Sequence, residues 1–281
     1  MRTYTERIFE EFVQDNSPEA KLKRYLERRR KEYEERKRNM LHPKSREELQ
    51  DMIVDAIKKN GPKVDLNYID VSGINDMSLL FNSYYDGVDE NKDKLLQSFN
   101  GDISDWDVSS VKDMSSMFCC ATRFNGDISE WEVGNVKDMN SMFCDAKNFN
   151  QDLSCWDVSS VGDMSLMFYG AKNFNQNISH WEVGSVGDMN GMFWNAKSFN
   201  WDISGWNVSG VNDMSYMFCG ATSFNGDISD WKVDGVSNMY SMFWSAESFS
   251  QDLSGWDVSG KNTEHMFDKC PIKEEFKPKN F

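Results

Sequence analysis

No apolar run in this chain approaches the roughly 20 residues that a membrane-spanning helix requires, and the stretch MRTYTERIFEEFVQDNSPEAK lacks the apolar segment of a secretory signal. On these absences the chain reads as a soluble, cytoplasmic protein. The six cysteines (Cys119, Cys120, Cys144, Cys155, Cys219 and Cys270) form no CxxC pair and no metal-ligand spacing with His42, His180 and His265. They read as reduced thiols, most of them packing, and no metal centre is expected. A phosphate loop and a nucleophile elbow are also missing. Catalysis needs a unique set of converging groups, so the chain is expected to be no enzyme and to carry no cofactor. Basic residues are scarce where the aromatics are dense: residues 99–260 hold 7 Lys and Arg against 22 Asp and Glu. Phosphate repels such a body, which excludes nucleic acid as its partner.

Residues 1–46 have the opposite balance, 14 Lys and Arg against 9 Asp and Glu. The run RRRKEYEERKR could touch nucleic acid or an anionic membrane. Its interleaved Glu residues favour instead a solvated helix with charge pairs three or four residues apart.

What the chain has in abundance is repetition. FNGDISDWDVSSVKDMSSMFCCA, starting at Phe99, recurs as FNGDISEWEVGNVKDMNSMFCDA starting at Phe124, and Trp returns at 106, 131, 156, 181, 206, 231 and 256. That is seven copies of 25 residues without a slip. In the first copy the apolar positions are Phe99, Ile103, Trp106, Val108, Val111, Met114, Met117, Phe118 and Ala121. One copy cannot bury so much apolar surface alone, so the copies must stack. The alternation in DISDWDV predicts one parallel strand per copy, and the three-one-three spacing of Met114, Met117, Phe118 and Ala121 predicts a short helical or 3₁₀ turn. Copies also alternate in pairs, WDVSSV with WEVGNV, which makes a super-repeat of 50 residues.

The expected fold is therefore a repeat solenoid, leucine-rich-repeat-like, with parallel β and short helical or 3₁₀ turns in 25-residue coils, plus an N-terminal α-helical cap and arm. The layout runs as a charged helical arm (1–44), a capping helix (45–62), a degenerate first coil with an insertion loop (63–98), seven repeats (99–260), and a C-terminal cap and tail (261–281). Ser45 with Glu48 forms a capping box, and Gly61-Pro62 ends that helix.

The columns of Asp102 and Asp113 repeat through the copies. They read mainly as turn-holding carboxylates, with a series of cation sites, and hence a cation-stabilised scaffold, as the other reading. Asp105, Asp107, Glu130, Glu132, Asp157, Glu182 and Asp230 flank the Trp column and are expected to project outward. They form either an acidic surface for a protein partner, a basic one in particular, or a solubilising face. A repeat scaffold places specificity where its columns break, at Trp194, Trp201 and Tyr216 among others. The expected function is a non-enzymatic protein-interaction scaffold using this acidic face and these aromatic positions. The alternative is an adhesin or glycan binder using Trp194 and Trp201.

The combination FNxDIS, WDVS, VxDM and MF resembles the repeat of the BspA-like family of surface proteins, also found in mycoplasma-type lipoproteins, over about Leu66 to Phe267. The resemblance implies a leucine-rich-repeat-like solenoid with roles in surface display, adhesion or protein binding. It implies no catalytic residue, and it makes the cell surface the alternative location.

Overall fold

The computed structural model describes residues 39–82 and 90–281, together with Lys23, Tyr25 and Glu27, which are helical. The rest of the expected arm and part of the expected insertion loop lie outside the described residues. The chain divides into two compact units, 1–41 and 42–281. The account that follows concerns the second.

Helix α1, Arg46–Asn60, starts where Ser45 accepts the Glu48 amide on its side chain and stops at Gly61, whose φ of 86° no other residue adopts easily. Its buried stripe is Leu49, Ile53, Val54, Ala56 and Ile57. Helix α2, Glu90–Ser98, packs on α1 and buries Leu96, with Lys92 Nζ 2.8 Å from Asp51. A 3₁₀ helix, Glu274–Phe276, lies in the C-terminal tail.

The repeats do not form the expected leucine-rich-repeat-like parallel-β solenoid, because the described residues contain no β-strand. What links neighbouring copies is a file of isolated single-residue parallel bridges, from Asp76 through Asp113, Asp138, Asp163, Asp188 and Asp213 to Asn238 and Asn262. The expected strand DISDWDV is broken by two turns: Trp106 N–H returns to the Ile103 carbonyl (3.2 Å) and Val111 N–H to the Val108 carbonyl (2.9 Å). Nor is the Met114–Ala121 segment helical. It makes successive turns, 114 to 117 and 118 to 121, with Ser116 (φ 55°) and Cys120 (φ 60°) in the left-handed region that a right-handed helix excludes. Each copy is thus a chain of turns closed by its own apolar residues. The apolar spacing of three is the i to i+3 spacing of those turns.

Backbone bonds then zip the copies. Met114, Ser116, Phe118 and Cys120 donate to the carbonyls of Asp138, Asn140, Met142 and Cys144 at 2.7–3.0 Å, and the same pattern repeats as far as the copy of Met239, Ser241, Phe243 and Ser245. Side chains add parallel files. Asn125 N–H donates to Asn100 Oδ1 and Asn150 N–H to Asn125 Oδ1, each at 2.8 Å, a ladder that continues to Ser250. Every Trp from 131 to 231 sends its buried Nε1–H to an Ile or Leu carbonyl of the preceding copy, at 3.0–3.1 Å. Phe rings interleave beside them: Phe143 stacks on Phe168 at 5.7 Å and on Phe149 at 4.0 Å. Offset aromatic pairs add about 0.5–1.5 kcal/mol each beyond burial. The core is therefore one continuous column of rings, methionines and valines.

Candidate binding faces

The turns at Ile128–Trp131 and Val133–Val136 push the residues between their ends outward, because the apolar residues at both ends are held in the core. Between them lies a groove of about 440 Å³ bordered by Ser109, Glu130, Glu132, Gly134, Cys155 and Asp157. The structure thus brings three predicted residues together: Glu130, Glu132 and Asp157. Asp105, Asp107, Glu182 and Asp230 occupy equivalent outward places on other copies, outside this groove.

Two chemistries alternate along this face, and they account for the super-repeat. Asp107 and Asp157 each accept the amide and the hydroxyl of the serine two residues on, Ser109 and Ser159, on one carboxylate oxygen. The Ser159 hydroxyl, then its amide, holds the Asp157 carboxyl below the usual carboxylate range, so it stays ionised. Glu132 is followed by Gly134, which has no hydroxyl to give. A Cβ on Gly134 would stand 3.2 Å from Asp157 Oδ2 on the next copy, and Gly184 likewise meets Asn207. Gly in one copy therefore makes room for the turn-holding residue of the next. Among the described residues, the carboxylates of Glu130 and Glu132 make no hydrogen bond or ion pair. Both stand in water as uncompensated charges.

The Asp102 and Asp113 columns hold turns. Asp127 Oδ1 accepts Ser129 N–H and Oγ–H, Asp138 Oδ1 accepts Asn140 N–H, and Asn177 does for Ser179 what Asp does elsewhere. No group of three or more His, Cys, Asp or Glu among the described residues is arranged to hold a metal ion.

A second face is aromatic. Tyr169 meets Trp194 edge-on (5.0 Å, 86°), Trp194 stacks on Tyr216 (4.7 Å, 12°), and Tyr240 follows at 5.2 Å and His265 at 5.6 Å. Burial, ahead of the neighbouring Tyr240, pushes the Tyr216 phenol above its ordinary value. The predicted Trp194 and Tyr216 are thus neighbours in one strip. Reading columns at a fixed offset of 25 misses it, because Trp194, Tyr216 and Tyr240 are 22 and 24 residues apart and the strip crosses columns. The usable signal was Gly191. It adopts φ 56°, and a Cβ there would come within 2.7 Å of Leu166 Cδ2 and 3.5 Å of the Trp194 ring.

Trp201 joins neither face. It is 39% exposed, and its Nε1–H donates to the Asn175 carbonyl at 2.8 Å, the bond that Gln151 and Gln176 make from the same column. The indole is tied at its nitrogen and open on its ring.

All six cysteines are free. Cys119 and Cys120 bring their Sγ atoms to 3.8 Å. The Cys120 contact lowers the Cys119 thiol pKa, but the adjacent Cys144, burial and Asp145 outweigh it and push it up to about 12. Burial pushes Cys219 up to about 11. These two thiols stay protonated at neutral pH.

The family model described as "Mycoplasma protein of unknown function, DUF285" matches twice, over residues 88–201 and 165–278. Together the two matches span the stacked copies and both faces. They support the mycoplasma-type repeat and do not extend to the BspA-like name. The comparisons with curated proteins and with solved structures found no match. No helix among the described residues is long and apolar enough to cross a membrane.

Proposed function

Because the chain belongs to the DUF285 repeat family, a mycoplasma-type family of unknown function, we propose from its own geometry that it is a non-enzymatic scaffold for protein binding, with the groove of Glu130, Glu132 and Asp157 as its contact surface. The observation that carries the reading is the uncompensated charge of Glu130 and Glu132. The hydroxyl and amide groups that border the groove and the Asp157 carboxylate work inside the stack: Ser109 and Ser129 donate to Asp107 and Asp127, Asn135 donates to the Ser109 carbonyl, and Asp157 holds the Ser159 turn. Glu130 and Glu132 do no such work, and they stand beside a carboxylate held ionised by its serine. A partner presenting Lys or Arg gains the attraction of three carboxylates in one recess, and it need not displace an existing bond. Such contacts set on-rate and specificity and weaken with salt. Affinity capture from the native host compares the full chain with Glu130→Lys/Glu132→Lys. The expected outcome is a set of captured proteins lost in the variant and lost from the parent at high salt. An unchanged capture profile overturns the reading.

A second reading, glycan binding, draws its support from the Trp201 ring, which is anchored through its nitrogen and exposed on its surface. It predicts signal on a glycan array that Trp201→Ala removes. No signal for the parent chain disposes of it.

A further inference from the structure

One row of backbone bonds between copies runs in a single direction, although single bonds beside it, such as Lys112 N–H to the Asn75 carbonyl, run back. From the first coil onward, alternate N–H groups of one copy point to alternate carbonyls of the next: Met77, Leu79 and Phe81 to Asp113, Ser115 and Met117, and so on to Met239, Ser241, Phe243 and Ser245, which reach Asn262, Glu264, Met266 and Asp268. A stack built this way has two unlike ends. Along this row one end presents carbonyls and the other presents N–H groups, as the ends of a helix do.

At the carbonyl end the first coil leaves Asp76, Ser78 and Leu80 without a preceding copy. There α1 supplies donors to the Ser78 and Leu80 carbonyls. Arg46 Nη1 reaches the Ser78 carbonyl at 3.2 Å, and Gln50 Nε2 reaches the Leu80 and Leu79 carbonyls at 3.1 and 3.3 Å. At the other end the equivalent donors are the amides of Thr263, His265, Phe267 and Lys269. His265 (φ 58°) and Lys269 (φ 57°) hold the same left-handed geometry as Ser241 and Ser245. None of these four amides has an acceptor among the described residues. The tail bonds elsewhere, with Leu253 N–H to the Phe276 carbonyl at 2.7 Å and a bridge from Asp257 to Lys279. On this side the half-exposed Phe281 ring stands edge-on to Phe267 at 5.0 Å.

We infer that this N–H row is a docking edge for the first coil of a second copy of this chain, and that α1 is the gate that keeps copies apart by occupying the matching carbonyls. The occupant follows from the register. Each such donor row inside the chain is met by the carbonyls of another copy of this repeat, and the compressed, turn-rich backbone does not match a plain extended strand. Glu264 and Asp268, exposed between the donors, disfavour a free anion there. With α1 seated, the two ends cannot meet. With α1 lifted, the contact is head-to-tail and does not close on itself, so it propagates as a filament.

The test uses the full chain. Arg46→Ala/Gln50→Ala is expected to show a mass in sedimentation that climbs with concentration beyond a doubling, where the parent stays constant. Hydrogen exchange should then slow by about tenfold or more at the amides of His265 and Phe267 in the assembled species. A variant that keeps its native circular dichroism and remains monomeric overturns the inference, as does an assembly in which these amides still exchange freely. The parent chain alone gives a check that needs no variant: as a monomer it must exchange the His265 and Phe267 amides rapidly while Ser241 and Phe243 are protected. Equal protection at both places means the edge is already closed and the inference is wrong.

Discussion

Replacing Asp138 by Asn should stabilise this protein, although it removes a residue that holds a turn. Asp138 sits in a file of six carboxylates, Asp76 to Asp213, joined neighbour to neighbour by single bridges. Burial first, and then the charges of Asp113 and Asp163, raise its carboxyl pKa above the ordinary range despite the Asn140 amide that lowers it. Bridged backbones lie about 4.8 Å apart, and two unit charges about 5 Å apart repel by roughly 0.8 kcal/mol in water and more where water is partly excluded. Asp138 has two such neighbours. The end of the file shows what an amide does in this place. Asn238 still accepts the Tyr240 amide on Oδ1 and donates from Nδ2 to Asp213 Oδ2 at 3.0 Å.

Asp138→Asn therefore keeps the turn, removes two repulsions and adds a donor. The expected gain at pH 7 is about 1–2 kcal/mol, a rise in unfolding temperature of about 2–8 °C for a body of this size. The sign with pH follows from the raised pKa. Folding favours the protonated acid, so the parent loses stability as pH rises through the Asp138 range, and the advantage of Asn must fade as pH falls back through it. Thermal unfolding followed by tryptophan fluorescence at neutral and acid pH, with and without high salt, measures this. A loss of stability at pH 7, or a gain indifferent to both pH and salt, refutes the reasoning.

Two further substitutions test the packing. Trp181→Phe deletes the Nε1–H donor to the Leu153 carbonyl, which keeps the Trp156 amide; the expected cost is about 0.5–1.5 kcal/mol in urea unfolding, and a neutral result means the Trp file contributes only area. Gly191→Ala places a methyl in a left-handed residue and within 2.7 Å of Leu166 Cδ2. It should cost about 1–2 kcal/mol, partly restored by adding Leu166→Ala, and full additivity of the two changes would count against the clash.

The repeat length, the pairing of copies and the identity of the core were legible in the sequence because they depend on which residues recur, and Phe99, Ile103, Trp106, Val108, Met114 and Phe118 are all buried. That the Asp columns suited turns could also be read, since Asn replaces Asp at 177 and 238 and an amide oxygen serves an amide hydrogen as well as a carboxylate does. The strand was misread for a physical reason. In DISDWDV the alternation of Trp106 and Val108 fits a strand, but the distances of three from Ile103 to Trp106 and from Val108 to Val111 equally fit closed turns, and side-chain polarity does not distinguish the two.

Backbone hydrogen bonding made that choice once the copies stood beside one another. A left-handed residue at Ser116 or Cys120 carries a local cost for any residue but glycine, which no short-range pattern announces; the bonds of its amide to the next copy offset it. The same holds for function. The sequence alone determined a stack of 25-residue units and a list of outward acids and aromatics. Tertiary structure alone decided that Glu130, Glu132 and Asp157 share a groove, that Tyr169, Trp194, Tyr216 and Tyr240 form one diagonal strip, and that the stack has a carbonyl end closed by α1 and an amide end left open, because proximity across copies and the direction of a hydrogen bond are properties of the packed chain.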